Sequence, residues 1–437
     1  HGWFVYRNLE GNIFNYNNNH YLSNLSGLIF ISELFHIDSE AKKWRDYAIH
    51  SLFREIRLQI LPSGMSFERS YHYHRLVLEI VNWSIIFLFH NNHKVPQDIL
   101  TILENMYDFL YKTIKPDLSV PNIGDQDDGR LLPFGVDKIN DFKYLFSMAA
   151  ILFDKYKMKK NGNGYNIYCS QLGKKYNLSY FKNIYSEFEN KLKSEYFNDA
   201  GFLVIRDDSN YMIANIKSHG NFIDSKTQSV HTHSDLFSFE LFINEKSFII
   251  DPGTFVYTSN YSLRNLYRST MMHNTASIDN KSQEEINEKN LFQMTNYSNP
   301  SLEAFKENKH EIFFSAKHEG YKRLKNPVIH QRSINYYKKN KEWVILDSFD
   351  GNGNNVIELA YHFSDKVILE LKNKNSFITK STGTNIEISF SSKSDFKVLK
   401  SNYSLSKSYG TLNKAEKLVI RFDGKLPYSL ETIIRKI

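Results

Sequence analysis

Apolar residues recur at three- and four-residue steps over 21–35 and again over 41–60, where Trp44, Ala48, Leu52 and Ile56 mark one buried face of a helix. The same period returns over 74–89, 97–114 and 141–156. Pro62-Ser63-Gly64, the run 91–96 and the run 115–128 interrupt it as helix-to-helix turns, so stacked helical hairpins are predicted. Beyond about Tyr196 the period shortens to two. Short runs rich in β-branched and aromatic residues cover 201–206, 211–217, 236–243, 246–250, 343–348, 356–363 and 385–390, with Asn, Gly, Asp and Ser between them. Asn244-Glu245 reads as a tight hairpin turn. So many strands without intervening helices predict an antiparallel sandwich. The fold class is α+β and multidomain, with a boundary near 194–198 that separates a helical domain (1–195) from a β domain (196–437).

Composition narrows the classes. At 437 residues and 51.4 kDa the chain exceeds the roughly 250–300 residues at which one core stops growing, in keeping with two or three domains. A hydrophobic fraction of 41%, with 33 Phe and 28 Tyr, supplies large cores and excludes a disordered chain. The single Cys169 excludes an internal disulfide and a thiolate zinc knuckle, so any metal sits on His and carboxylate. A net charge of +7 favours an anionic partner without specifying one. No run approaches the ~18 apolar residues of a membrane span; the nearest, 80–90, contains Asn82, Trp83 and Ser84. The chain starts at His1 without Met or a basic-then-apolar leader and reads as a mature or truncated product.

Candidate chemistry concentrates in a few places. In a strand, His231 and His233 of His231-Thr-His233-Ser-Asp235 would share a face, and Asp251-Pro-Gly-Thr and His273-Asn-Thr follow at the ends of later elements. Two His and an Asp suit Zn²⁺ with a fourth position open, although such histidines are also compatible with ordinary satisfied side chains. Asn17-Asn-Asn-His20 opens a helix, where one Asn is an N-cap and the others are unexplained. Glu68-Arg-Ser70-Tyr71-His72-Tyr73-His74-Arg75 opens another, either as stacked interior aromatics or as a proton-transfer site. The acidic stretch 124–130 lacks the spacing of an EF-hand and reads as a loop that caps helices or pairs Arg130 with a carboxylate.

Taken in order, these segments resemble the heparinase II/III-like family of polysaccharide lyases. They are Asn19-His20 to Gly27, Gly64 to Arg75, Gly124-Asp125 to Arg130, His231-x-His233-x-Asp235-x-x-Ser238-Phe-Glu240, Asp251-Pro-Gly253-Thr, and Arg268-Ser-Thr270-x-x-His273-Asn274-Thr275. The resemblance implies an incomplete, N-terminally truncated α/α toroid followed by an antiparallel β-sandwich. It implies that Asn19 and His20 neutralise a uronate carboxylate, that Tyr73 and His231 are catalytic, and that His233, Asp251 and His273 hold a metal, usually zinc, in a structural role. By position Glu68, His74 and Tyr261 join the substrate-binding set. The implied partner is an acidic polysaccharide (heparan sulfate, alginate or a bacterial uronate polymer), not nucleic acid, and the implied location is periplasmic or secreted.

The reaction would be β-elimination: removal of the C5 proton beside the carboxylate, expulsion of the 4-linked oxygen, and an unsaturated product. Charge developing on the carboxylate must be stabilised for so weak an acid to lose its proton. Two other readings are a non-catalytic glycan-binding or exopolysaccharide-assembly scaffold, and a zinc hydrolase with Glu240 as base.

Overall fold

The computed structural model describes residues 1–11, 17–132, 142–153, 192–207, 209–216, 231–244, 246–381 and 383–437. Cys169, the turn residue Glu245, and the outermost residues of the helix expected over 141–156 and of the strand expected over 211–217 lie outside them. The chain divides into two compact units, one of His1–Ile114, Leu118–Val120 and Asp128–Lys191, the other of Lys115–Asp117, Pro121–Asp127 and Leu192–Ile437. Helices come first and antiparallel sheets after, the α+β class expected. The division is not a single cut, however: two short segments from the helical half of the sequence belong to the β-unit.

The helical unit contains α1 (Gly2–Arg7), α2 (Asn19–Leu34), α3 (Ser39–Gln59), α4 (Tyr71–His90), α5 (Gln97–Thr113) and α6 (Lys143–Phe153). Side chains set where they begin. Asn18 accepts from the His20 N–H, Asp38 from those of Glu40 and Ala41, and Ser70 from that of Tyr73. The Ser70 cap starts α4 three residues before the apolar pattern does, so Tyr71, His72 and Tyr73 form its first turn. α4 is buried on nearly every side, through Val77, Leu78, Ile80, Val81, Ile85 and Leu88. Its polar residues are therefore committed inside: Glu79 accepts from Arg130 at 2.9 Å and from the Leu131 N–H at 2.9 Å, and the Tyr144 hydroxyl closes on it. Arg130 thus pairs with a carboxylate, as its motif suggested. Gly64, at φ +96°, passes so close to the Asn105 carbonyl that a Cβ there would overlap it.

Among the described residues the β-unit has three antiparallel sheets. β1 (Glu195–Phe197), β2 (Phe202–Arg206), β3 (Asn210–Asn215), β4 (Phe239–Ile243) and β5 (Lys246–Ile249) form a meander in that order. The second sheet runs β12 (Ile368–Asn373), β13 (Ser376–Lys380), β14 (Ile386–Ser391), β17 (Tyr428–Lys436), β10 (Glu342–Asp350), β9 (Val328–Tyr337), β8 (Glu311–Tyr321) and β7 (Ser301–Glu307). β15 (Lys397–Leu405), β16 (Asn413–Lys425), β11 (Asn354–His362) and β6 (Ala276–Ile278) make the third. One apolar core gathers residues of all three, among them Phe239, Leu241, Phe314, Trp343, Leu359 and Ile420. Between β5 and β6 stand α7 (Tyr261–Tyr267) and a 3₁₀ turn (Thr270–Met272).

A buried ion pair crosses this core. Arg332 and Asp347 are in register across β9 and β10, and the guanidinium bonds both carboxylate oxygens, at 2.8 and 3.0 Å. His330 adds a contact of 2.7 Å to the same carboxylate. The remaining Arg332 nitrogen donates to the carbonyls of Phe237 and Asn274, at 2.6 and 2.8 Å. Burial alone would raise the Asp347 carboxyl, but Arg332 and His330 hold it below the usual range.

Asp347→Ala strands a buried guanidinium and should cost about 3–5 kcal/mol in urea unfolding; a loss under about 1 kcal/mol would mean the pair is not what holds these strands. In the helical unit His74 is fully buried, its Nδ1 accepting from the Ser66 N–H at 3.2 Å and its Nε2 bonded to the Met106 carbonyl at 3.2 Å, and burial pushes its pKa down to about 4. The folded pKa lies below the unfolded value, so as pH falls from about 6.5 to about 4 only the unfolded chain takes the proton and stability drops. His74→Gln should remove that part of the loss, narrowing its gap to wild type by about 3 kcal/mol between pH 7 and pH 4; parallel stability profiles would refute it.

Candidate functional site

The four residues His231, His233, Asp251 and His273 lie in the β-unit, on connections rather than in strands. His231 and His233 stand in a loop that leads into β4, not in the strand the sequence suggested. Phe237 closes that loop in the left-handed region at φ +65°, its N–H on the Asn215 carbonyl at 2.7 Å and its carbonyl on Arg332. The core ion pair therefore supports, from below, the loop that carries both histidines.

The two imidazoles meet at a carboxylate. His231 Nδ1 lies 3.0 Å from Asp125 Oδ2, and His233 Nε2 lies 2.8 Å from Asp125 Oδ1. Arg264 of α7 grips the same carboxylate with both Nη atoms, Nη2 to Oδ2 at 2.8 Å. Arg264 is itself fixed, donating from Nε to the Leu291 carbonyl at 3.1 Å and lying over the rings of Tyr257 and Phe292. Burial would raise the Asp125 carboxyl, but the guanidinium and the two histidines outweigh it and hold the group well below the usual carboxylate range.

Asp125 arrives on the segment Pro121–Asp127, which is tied down along its length. Glu240 Oε1 accepts from the Asn122 N–H at 2.8 Å, the Asp125 N–H donates to the His231 carbonyl at 2.8 Å, and the Gln126 N–H donates to Thr254 Oγ1 at 2.9 Å. Glu240 is buried, also accepts from the Asp251 N–H at 3.3 Å, and pairs with Lys115 at 2.5 Å. So committed a carboxylate is an anchor, which removes the reading of Glu240 as a hydrolytic base.

His233, Asp251 and His273 each offer one donor atom, all within 4.8 Å of one another and all buried. Asp251 Oδ2 lies 2.7 Å from His273 Nδ1, and Oδ1 accepts from the Gly253 N–H at 2.9 Å. With His233 Nε2 turned to Asp125, its Nδ1 is buried with no hydrogen-bond partner among the described residues. An orphaned imidazole nitrogen beside a second His and an Asp fits a divalent metal. These three residues form the candidate metal set.

The other sequence candidates lie in the helical unit, apart from the half-exposed Tyr261 in the first turn of α7. Asn19 turns inward and donates from Nδ2 to Glu68, at 2.9 and 3.2 Å to its two oxygens. His20, one residue on, turns outward and is exposed, its Nδ1 2.8 Å from Glu10. The structure thus gives the two members of the expected pair different surroundings. Glu68 is fully buried and holds the Asn19 amide. His74 is buried with both ring nitrogens on backbone groups. Tyr73 is largely buried in the first turn of α4, one residue before His74.

Two residues at the centre of the β-unit cluster were missed. Asp125 sat in a noticed motif but was read as a loop carboxylate, and Arg264 carried no local signal at all. Asp125 is 106 positions from His231 and 139 from Arg264, so no spacing rule links them.

Residues 190–435 match the family described as Heparinase II/III-like, C-terminal, and residues 6–148 the Heparinase II/III N-terminus. A heparin-sulfate lyase of Bacteroides stercoris is 25% identical over 392 residues, which are 86% of this chain and 50% of that protein. One of Pedobacter heparinus is 26% identical over 314 residues, 69% of this chain and 43% of that protein. The chain thus spans about half the length of the curated relatives it matches. A solved structure of a heparinase III superposes with a TM-score of 0.74 at 20% identity, covering 100% of this chain and 61% of that one. The heparan sulfate lyase HepC of Pedobacter heparinus gives 0.72 at 20% identity, with 100% and 62% covered. At such identities the structural likeness is one of fold. The C-terminal match alone takes in more than half of the residues, and the candidate metal set lies within it, so the chain belongs to the heparinase II/III-like family.

Proposed function

We propose that the protein is a polysaccharide lyase that cleaves a uronate-containing glycosaminoglycan of the heparan sulfate type by β-elimination. The observation that carries this reading is His231 anchored through Nδ1 on a buried carboxylate, the arrangement that orients an imidazole for proton transfer. The names of the two curated relatives support the substrate class. The six ordered motifs support assigning the helices to an incomplete α/α toroid.

In this reading the second hydrogen of Asn19 Nδ2, the first being held by Glu68, donates to the uronate carboxylate and stabilises the charge that develops as the C5–H bond breaks. The electron pair forms the C4–C5 double bond, the bond from C4 to the glycosidic oxygen breaks, and that oxygen takes a proton. Tyr73 and His231 are the proton-transfer groups, Tyr73 delivering the proton to the leaving oxygen. His20 would join only by exchanging Glu10 for the substrate. Tyr261, half-exposed, is assigned to the sugar chain.

His233, Asp251 and His273 would hold zinc, which supplies cross-linking of the connections that follow β3, β5 and the 3₁₀ turn. A polymer of this kind does not cross membranes, so the enzyme is placed in the periplasm or outside the cell. Among the described residues no helix is long and apolar enough to cross a membrane.

Incubated with heparan sulfate, the wild-type protein should produce the ultraviolet absorbance of an unsaturated uronate, and Tyr73→Phe should lower that rate by about 10²–10⁴-fold while remaining folded. A Phe variant as fast as wild type would take Tyr73 out of the reaction, and no absorbance from any acidic polysaccharide in a panel would sink the lyase assignment. His233→Ala should bind less zinc and melt at a lower temperature; equal zinc content and melting point would contradict a structural metal there.

A further inference from the structure

We infer that Asp125 is a positioning residue shared by two functions, setting the proton positions of His231 for proton transfer and of His233 for metal binding through its two separate oxygens. For His231 the inference rests on the lyase reading above; for His233 it stands on the cluster alone.

Arg264 has hydrogens only to give, and it faces both oxygens of Asp125, so the carboxylate is an acceptor on both sides. Each imidazole nitrogen that faces it must then carry the hydrogen. His231 is held as its Nδ1–H form, which puts the lone pair on Nε2, the nitrogen that could take a proton from a sugar carbon. His233 is held as its Nε2–H form, which puts the lone pair on Nδ1, the orphaned atom beside Asp251 and His273. One carboxylate therefore prescribes opposite tautomers in two histidines separated by a single residue.

Neither oxygen can shift its partner without moving the other, because Arg264 and the Asp125 N–H bond to the His231 carbonyl fix the group from two directions. A carboxylate that accepts from the far nitrogen of a ligating histidine is a general means of orienting the ring and raising its basicity. Here the same carboxylate also serves a histidine outside the metal set. Disturbance at the metal side is expected to reach His231 through about two hydrogen bonds rather than through the fold at large.

Asp125→Asn tests this, since the amide keeps the shape but presents an N–H to one of the two rings. In the full chain, zinc affinity measured by chelator competition should fall about 10–100-fold. Turnover on heparan sulfate should fall by a comparable factor or more, in kcat with KM little changed, because Asp125 does not touch the sugar. The decisive arm is Asp125→Asn combined with His231→Gln. It should turn over no more slowly than His231→Gln alone, since Asp125 acts on the reaction only through that ring, yet bind zinc as weakly as Asp125→Asn.

Wild-type zinc affinity in Asp125→Asn overturns the inference for His233. A further loss of turnover in the double variant, as large as that of Asp125→Asn itself, overturns it for His231. If Asp125→Asn does not fold with Arg264 left half-paired, Asp125→Asn with Arg264→Gln removes both charges and carries the same arms. Should wild type cleave no polysaccharide, the lyase reading fails by itself, and zinc affinity still decides the role of Asp125 toward His233.

Discussion

The β-unit's candidate site depends on one buried carboxylate. Asp125 has no solvent to satisfy it, and an isolated buried charge would be neutralised or expelled. It persists because a guanidinium, itself packed against the adjoining rings of Tyr257 and Phe292, faces it directly. Everything local follows from that pairing. The two histidines share Asp125 as an acceptor, and the loop that bears them is held by its backbone to the segment that delivers the carboxylate.

A second buried ion pair works at one remove. Arg332 and Asp347 do not reach the histidines, but the guanidinium bonds the carbonyls of Phe237 and Asn274, one in the connection after His233 and the other next to His273. Rigid strands thus fix the backbone on either side of the metal set, while the connections supply the functional side chains. This division of labour is the usual one for sites carried on loops.

Much of the fold was legible because it is written in periods. The helices α2, α3 and α5 fall within a residue or two of their apolar stripes, and the change to a period of two marks where the sheets begin. α4 began earlier than its pattern because a Ser cap, not an apolar residue, starts it. The candidate residues were harder to read, for two physical reasons. A motif names residue types but not the direction of side chains: in a helix buried on nearly all sides, Tyr73 and His74 are adjacent yet His74 is spent on the Ser66 and Met106 backbone. Long-range pairing also leaves no trace in spacing, so the pairing of Asp125 with Arg264 and the two histidines stayed invisible until the chain was folded. The expected strand over His231 and His233 failed for a related reason. Alternation was right about two imidazoles converging, but they converge on the two oxygens of one carboxylate from a loop.

The interleaving of the chain has a consequence for how such a protein is inherited. The β-unit is not one continuous stretch: Lys115–Asp117 and Pro121–Asp127 are contributed from within the run of helices. A recombination event that copied the gene from the start of β1 onward would carry every strand, both histidines and Arg264, and would leave Asp125 behind. The halves are therefore poor currency for domain shuffling, and lineages of this architecture are expected to pass on the helical and β parts together, under joint selection.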